Sequence, residues 1–308
     1  LAGLALAPAA FAQAPAYPSK PITIVVGYPP GGSTDLMGRM VGTELSNRLG
    51  QPVVIENIGG AGGAIGAQKV ASAQPDGYTL LVGASNELAI NKLVTKKVKY
   101  DIKDFTAIGL VASQPLVLVA SPASGVKNAA DFIQLVSKNP GKYSYGSSGV
   151  GTSLHLAGEM LKSQGKLFMT HIPYRGVAPL TNDLVGNNLE FGVFVLSSGL
   201  PHIKSGKVIA LGTTEAKRSP ITPDIPALAE SPQFKNVDIG VWFALMAPAN
   251  LPKPVHDKLR KALTDALQSP EFRKKLEATG SVVASPTVDT DKYIASEIDK
   301  YRKIVQFA

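Results

Sequence analysis

Strand-like and helix-like segments alternate along almost the whole of this 308-residue chain, and that alternation constrains the fold more than any other feature. Residues 22–27 (ITIVVG) are rich in β-branched side chains and run into a Pro/Gly loop. A helical pattern follows from Thr34 to Leu49 and stops at Gly50. Residues 53–56 read as a short strand and 63–73 as a helix. Pro75-Asp76-Gly77 then turns the chain into a strand over 78–83. Strand, helix, strand, helix in this order predicts a mostly parallel sheet with right-handed crossovers.

The pattern restarts after residues 106–121, where two apolar strands, TAIGLVA and PLVLVAS, flank Ser113-Gln114. Helices are expected at 128–138, 152–164 and 178–186, and strands at 143–147, 168–172, 191–196 and 208–213. In the tail, Val255, Leu259, Ala262, Leu263, Ala266 and Leu267 share one helical face, led in by Pro252 and Pro254. The strands near 106–121 and 238–247 are placed to cross between two α/β lobes. The expected division is 17–115 plus 238–308 in lobe 1 and 116–237 in lobe 2, after a segment at 1–16.

That first segment holds the stretch LAGLALAPAAFA, ending Ala10-Phe11-Ala12 before Gln13. It reads as the apolar core and cleavage site of a secretory signal without its charged front, which points to the periplasm. It is too short for a bilayer, which needs about 20 apolar residues. The chain has no cysteine, so disulfides, thiolate catalysis, cysteine-held zinc and a cysteine-linked lipid anchor are not expected. The formal charge is +8, but the lysines are scattered with acidic residues between them and aromatics are only 6%, so nucleic acid is not an expected partner.

Two loops each follow a strand and open a helix: Tyr28-Pro-Pro-Gly-Gly-Ser-Thr-Asp35 and Gly146-Ser-Ser-Gly-Val-Gly-Thr-Ser153. A helix start leaves about four backbone N–H groups unpaired and carries roughly half a positive charge. Two such starts, one per lobe, suit an anion gripped in a cleft. Neither loop has the lysine of a P-loop, and Gly149-Val-Gly151 lacks the third glycine of a dinucleotide fingerprint. A carboxylate remains. Asp35 would repel it, so its expected role is to hold the loop. A third glycine loop, 59–63, either approaches the cleft or permits close helix–sheet packing.

The motifs YPPGGSTD, GAGGAIGAQKVASAQPDGYTLL, KYDIKDF, YGSSGVGTSLHLAGE, IPYRG, LPHIKSGKVIALGTTEAKRSP and WFALMAPANLP together resemble one family over residues 17–305. It is the periplasmic solute-binding receptors of tripartite tricarboxylate transporters, the Bug proteins. The resemblance implies a type II periplasmic-binding-protein fold, two α/β lobes joined by crossing strands with a ligand cleft between them. It also implies a monomeric receptor with no cofactor that hands a small carboxylate to membrane permease subunits. Carried over by position, the ligand-facing residues are Tyr28, Gly32, Ser33, Thr34, Ser85 and Asn86 from lobe 1, and Ser147, Gly151 and Thr152 from lobe 2. Many relatives have Thr-His where this chain has Glu87-Leu88, and an aspartate where it has Phe194. Phe194 either offers an apolar face to the ligand, favouring an aromatic dicarboxylate such as terephthalate, or belongs to the core.

Other residues carry weaker chemistry. Arg175 either clamps a carboxylate bidentately or braces its loop by pairing with Asp183. His155 and Glu159, spaced i, i+4, fit an ion pair better than a metal site because no third ligand is evident. A secreted serine hydrolase built on Ser147 and His155 is the enzyme alternative, though no Gly-x-Ser-x-Gly elbow is present. A sensor subunit reporting the carboxylate to a signalling system would share the receptor's site.

Overall fold

The computed structural model describes residues 16–307, so the secretory-signal reading of residues 1–12 lies outside the described residues. Strand β1 (Ile22–Val26) lies parallel between β2 (Val53–Asn57) and β3 (Thr79–Ala84). Helix α1 (Ser33–Leu49) links β1 to β2, and α2 (Ala64–Ala71) links β2 to β3. A wide helical turn at Asn86–Ile90 then leads into the short α3 (Asn91–Val94). These are the alternations that the sequence pattern predicts.

The next strand departs from it. Instead of two strands broken at Ser113-Gln114, a single 16-residue strand β4 runs Phe105–Ala120. After it come α4 (Ala129–Lys138), β5 (Ser144–Ser147), α5 (Ser153–Gly165), β6 (Thr170–Pro173), α6 (Val177–Val185), β7 (Phe191–Val195), α7 (Leu196–Lys204) and β8 (Ile209–Thr213). The chain returns through β9 (Gly240–Pro248) and closes with α8 (Lys253–Gln268), α9 (Pro270–Glu277), β10 (Val282–Val283) and α10 (Thr290–Phe307).

The first half of β4 pairs antiparallel with β9, from Phe105 opposite Pro248 to Pro115 opposite Gly240. Beyond Pro115 the strand changes partners, and Leu116–Ala120 pairs with β7 and β8. Proline has no N–H to give to a ladder, so Pro115 sits where one set of partners ends and another begins. The mostly parallel sheet expected from the alternation is present twice, as β2-β1-β3 and as β7-β5-β6, but every pairing made by β4 or β9 is antiparallel. The result is a two-lobed α/β fold in which β4 threads both lobes.

Buried apolar side chains follow the periodicities. Leu259, Ala262, Leu263, Ala266 and Leu267 of α8 are buried, and Asn128 caps α4 by accepting the Asp131 N–H at 2.9 Å. Gln114, next to the partner change in β4, donates to Ser281 Oγ at 2.6 Å and accepts the Ser197 N–H at 3.2 Å. One side chain thus ties the end segment of the chain to the start of α7.

Candidate functional site

Between the lobes lies a narrow cavity of about 40 Å³, opening into a wider mouth of about 760 Å³. Tyr28, Pro29, Pro30, Gly32, Ser33 and Thr34 reach the cavity from the loop that opens α1, together with Ala84 and Asn86 beyond β3. From the other side come Ser148, Leu154, and residues 175–179, at the start of α6. Val195 and Val241 complete apolar walls. No acidic side chain lines it.

The start of α1 is open. Gly32 is its N-cap and provides no side-chain cap. Among the described residues, the N–H groups of Ser33 and Thr34 and both hydroxyls have no protein partner, although the two residues are only 7% and 5% exposed. Donors that face a cavity without a protein acceptor are open to an external one. Asp35 holds the loop as expected: its carboxylate accepts the Gly31 N–H at 3.0 Å, Arg39 Nε at 3.0 Å and Asn57 Nδ2 at 2.9 Å. Burial alone would raise its pKa, but Arg39, Gly31 and Asn57 together pull it below the usual value.

The start of α6 is open in the same way, and the sequence reading did not single it out. Gly176 is the N-cap with φ +103°, a conformation that other residues rarely adopt, and it has no side-chain cap. The N–H groups of Val177 and Ala178 have no acceptor among the described residues. Arg175 stands exposed at the rim and is in no ion pair among the described residues; Asp183, its expected brace, accepts the Tyr174 hydroxyl at 2.6 Å. The signal in the sequence was Arg175-Gly176 ahead of a helical run with Pro179 in its first turn.

The start of α5, which the sequence assigned to the ligand, is closed by the protein itself. Thr152 is fully buried and caps the helix, accepting the His155 N–H and donating to Gly149 O at 2.8 Å. The Gly151 N–H reaches His155 Nδ1 at 3.1 Å, and the Ser153 N–H is accepted across the lobe gap by Asn86 Oδ1 at 2.8 Å. Ser147 is fully buried with its Oγ 2.7 Å from His171 Nε2. Ser147, Gly151 and Thr152 therefore do not line the cavity; only Ser148 of that loop does.

Two further candidates are turned away from the cavity. Ser85 is fully buried and Ala84 takes the cavity position. Phe194 is fully buried among Val117, Leu200 and the second-lobe core, and its neighbour Val195 faces the cavity instead. Phe194 lies in the core of the second lobe. Of the eleven candidates, Tyr28, Gly32, Ser33, Thr34, Asn86 and Arg175 come together at the cavity.

Behind Tyr28 lies a polar network. Its hydroxyl accepts Asn86 Nδ2 at 2.8 Å and lies 3.0 Å from Gly62 O and 3.2 Å from Glu87 Oε2. The first of these bonds fixes the Asn86 amide so that its oxygen points at Ser153. Glu87, 2% exposed, accepts the Ala84 N–H at 2.7 Å and has no cation partner among the described residues. Burial pushes its carboxyl up to about 7.

The alternative chemistries lack geometry. Glu159 is held by Lys162 at 2.9 Å and Tyr145 at 2.7 Å, with His155 3.8 Å away, and no group of three metal-binding side chains occurs among the described residues. The imidazole beside Ser147 is His171 rather than His155, and the pair lies outside the cavity. No helix among the described residues is long and apolar enough to cross a membrane.

Residues 37–308 match the family model described as the tripartite tricarboxylate transporter family receptor. BugT of Bordetella pertussis is 34% identical over 304 residues, covering 97% of this chain and 92% of BugT. A solved R. palustris protein, Rpa4515 with adipate, superposes with a TM-score of 0.90 at 30% identity, covering 94% of this chain and 97% of that one. MatC of Rhodopseudomonas palustris with bound malate gives 0.86 at 29% identity, covering 94% and 100%. Such proteins are solute-binding receptors, not enzymes.

Proposed function

This chain belongs to the tripartite tricarboxylate transporter receptor family, and from that premise we propose that it captures an apolar-bodied dicarboxylate in the periplasm and delivers it to a membrane permease. One carboxylate is received by the N–H groups and hydroxyls of Ser33 and Thr34 at the start of α1. The other is received by the N–H groups of Val177 and Ala178 at the start of α6, with Arg175 at the rim. Leu154, Val195 and Val241 pack the body between them. The observation that carries this reading is two uncapped helix starts, one from each lobe, meeting at a single cavity with apolar walls.

The chemistry of the walls sets the ligand class. An ammonium group would find no acidic partner in the cavity, so amino acids are disfavoured. Adipate, bound by one relative, has the right pattern of two charged ends and an apolar middle, and so does terephthalate. The ring face once expected from Phe194 is not needed for this, since aliphatic side chains line the space. Residues 17–115 with 238–308 move as one lobe and 116–237 as the other, hinging where β4 changes partners at Pro115.

Calorimetric titration against adipate, terephthalate, malate, citrate and aspartate tests the reading. Adipate or terephthalate is expected to bind about tenfold or more tightly than the other three, the value of about 1.4 kcal/mol of better-matched surface. Tight aspartate binding with none by the two apolar-bodied acids would overturn it.

A further inference from the structure

A second concavity of about 440 Å³ lies beside the mouth of the cleft, outside the proposed carboxylate site. Its walls are apolar and exposed: Ile65 on α2 is 53% exposed, Val94 at the end of α3 is 37% and Val150 is 70%. Val150 is the outermost residue of the β5–α5 loop, carried between Gly149 at φ +138° and Gly151 at φ +76°. Three exposed aliphatic side chains from separate elements sharing one groove are not scattered surface residues; such a patch marks an interaction surface.

The rim is basic. Lys97 and Lys99 line the groove, and Lys96 and Lys103 are close in the chain and exposed. Among the described residues these four lysines make no ion pair, whereas Lys92 reaches Asp101 at 3.9 Å. Unpaired like charges at the edge of an apolar groove repel a second copy of this chain, which carries +8 overall, and attract an acidic partner.

The groove also depends on the relation of the lobes. Gly151 packs so closely on Val94 that an added Cβ would sit 2.7 Å from Val94 Cγ2. The wall contributed by Val150 therefore exists only while the β5–α5 loop rests against α3. A partner that fills the groove recognises the closed form.

We infer that this groove docks an acidic periplasmic loop of the membrane permease, one that presents an apolar side chain to Ile65, Val94 and Val150 and carboxylates to Lys97 and Lys99. This inference rests on the receptor reading above and adds the surface through which delivery occurs.

The test uses the native host with its own copy deleted and complemented with wild type, the double variant Lys97→Glu/Lys99→Glu, or Ile65→Glu. Uptake of radiolabelled adipate, terephthalate and malate is followed in cells, and binding of the same acids to each purified protein by calorimetry. Both variants are expected to lower uptake by about tenfold or more while dissociation constants stay within about twofold, because rim charges and apolar contacts act on docking and not on the cleft. If wild type binds and transports none of the three acids, the receptor reading fails and the docking site falls with it. If wild type transports and both variants match it, the docking inference alone is overturned. It is also overturned if purified wild type binds phosphatidylglycerol/phosphatidylethanolamine vesicles and the double variant does not, since the groove would then serve a lipid surface.

Discussion

The starts of α1 and α5 look equivalent in sequence, each a strand followed by Gly, Ser and Thr residues and a helix, yet one is open and the other is sealed. At α1 the cap is Gly32, which supplies no acceptor, and Ser33 and Thr34 keep their donors. At α5 the N–H groups of Gly151, Ser153 and His155 are spent internally, on His155, Asn86 and Thr152, and Leu154 alone of the first turn keeps its N–H without an acceptor among the described residues. A helix start becomes a ligand site only where the protein withholds its own acceptors. Thr152 is a good capping residue, and for that reason it is a poor ligand residue. The place expected for α5 is taken by α6, whose Gly176 is as empty a cap as Gly32.

The largest expected effect breaks the contrast at its open end. Ser33→Asp puts a carboxylate where the ligand's carboxylate would sit, and like charges about 4 Å apart repel by about 4 kcal/mol at an effective dielectric near 20. Carboxylate affinity, read by calorimetry, should fall by about three orders of magnitude. An affinity within tenfold of wild type would remove α1 from the site.

The next effect concerns the network that holds Asn86 against α5. Glu87 has its carboxyl raised from 4.5 to about 7 by burial, so the folded protein keeps a proton there that the unfolded chain has released. Stability from this group is full below pH 4.5, is lost as pH rises toward 7, and is flat above that. The difference across the window is about 3 kcal/mol. Urea midpoints measured from pH 4.5 to 8 should show this slope in wild type and lose it in Glu87→Gln. The same slope in both proteins would assign it to other groups.

The smallest effect tests the sealed end. Thr152→Ala removes a cap and should cost about 1 kcal/mol of stability, with carboxylate affinity changed by less than about threefold. A loss of affinity far beyond that, with stability intact, would restore α5 to the ligand.

How much of this the sequence carried follows from the range of the forces involved. The alternation of elements was legible because β-branched runs, helical periodicity and breakers such as Gly50 are local. The single strand β4 was not, because Pro115 looks like a terminator until its change of partners from β9 to β7 and β8 is known. Phe194 is turned from the cavity for a narrower reason: it lies one residue from Val195, and a step of one along a strand reverses the face. The seal on α5 draws in part on Asn86, which is distant in the chain, and no local pattern announces that contact. Tyr28, Ser33 and Thr34 were readable because the α1 loop depends on its own Asp35.

Amide NMR during an adipate titration compares the three helix starts in one experiment. The account predicts that the amide protons of Ser33, Thr34, Val177 and Ala178 move downfield together and saturate with one dissociation constant, as new hydrogen bonds to carboxylate form, while those of Gly151 and Ser153 keep their positions. Downfield shifts at Gly151 and Ser153 with none at Val177 and Ala178 would contradict it.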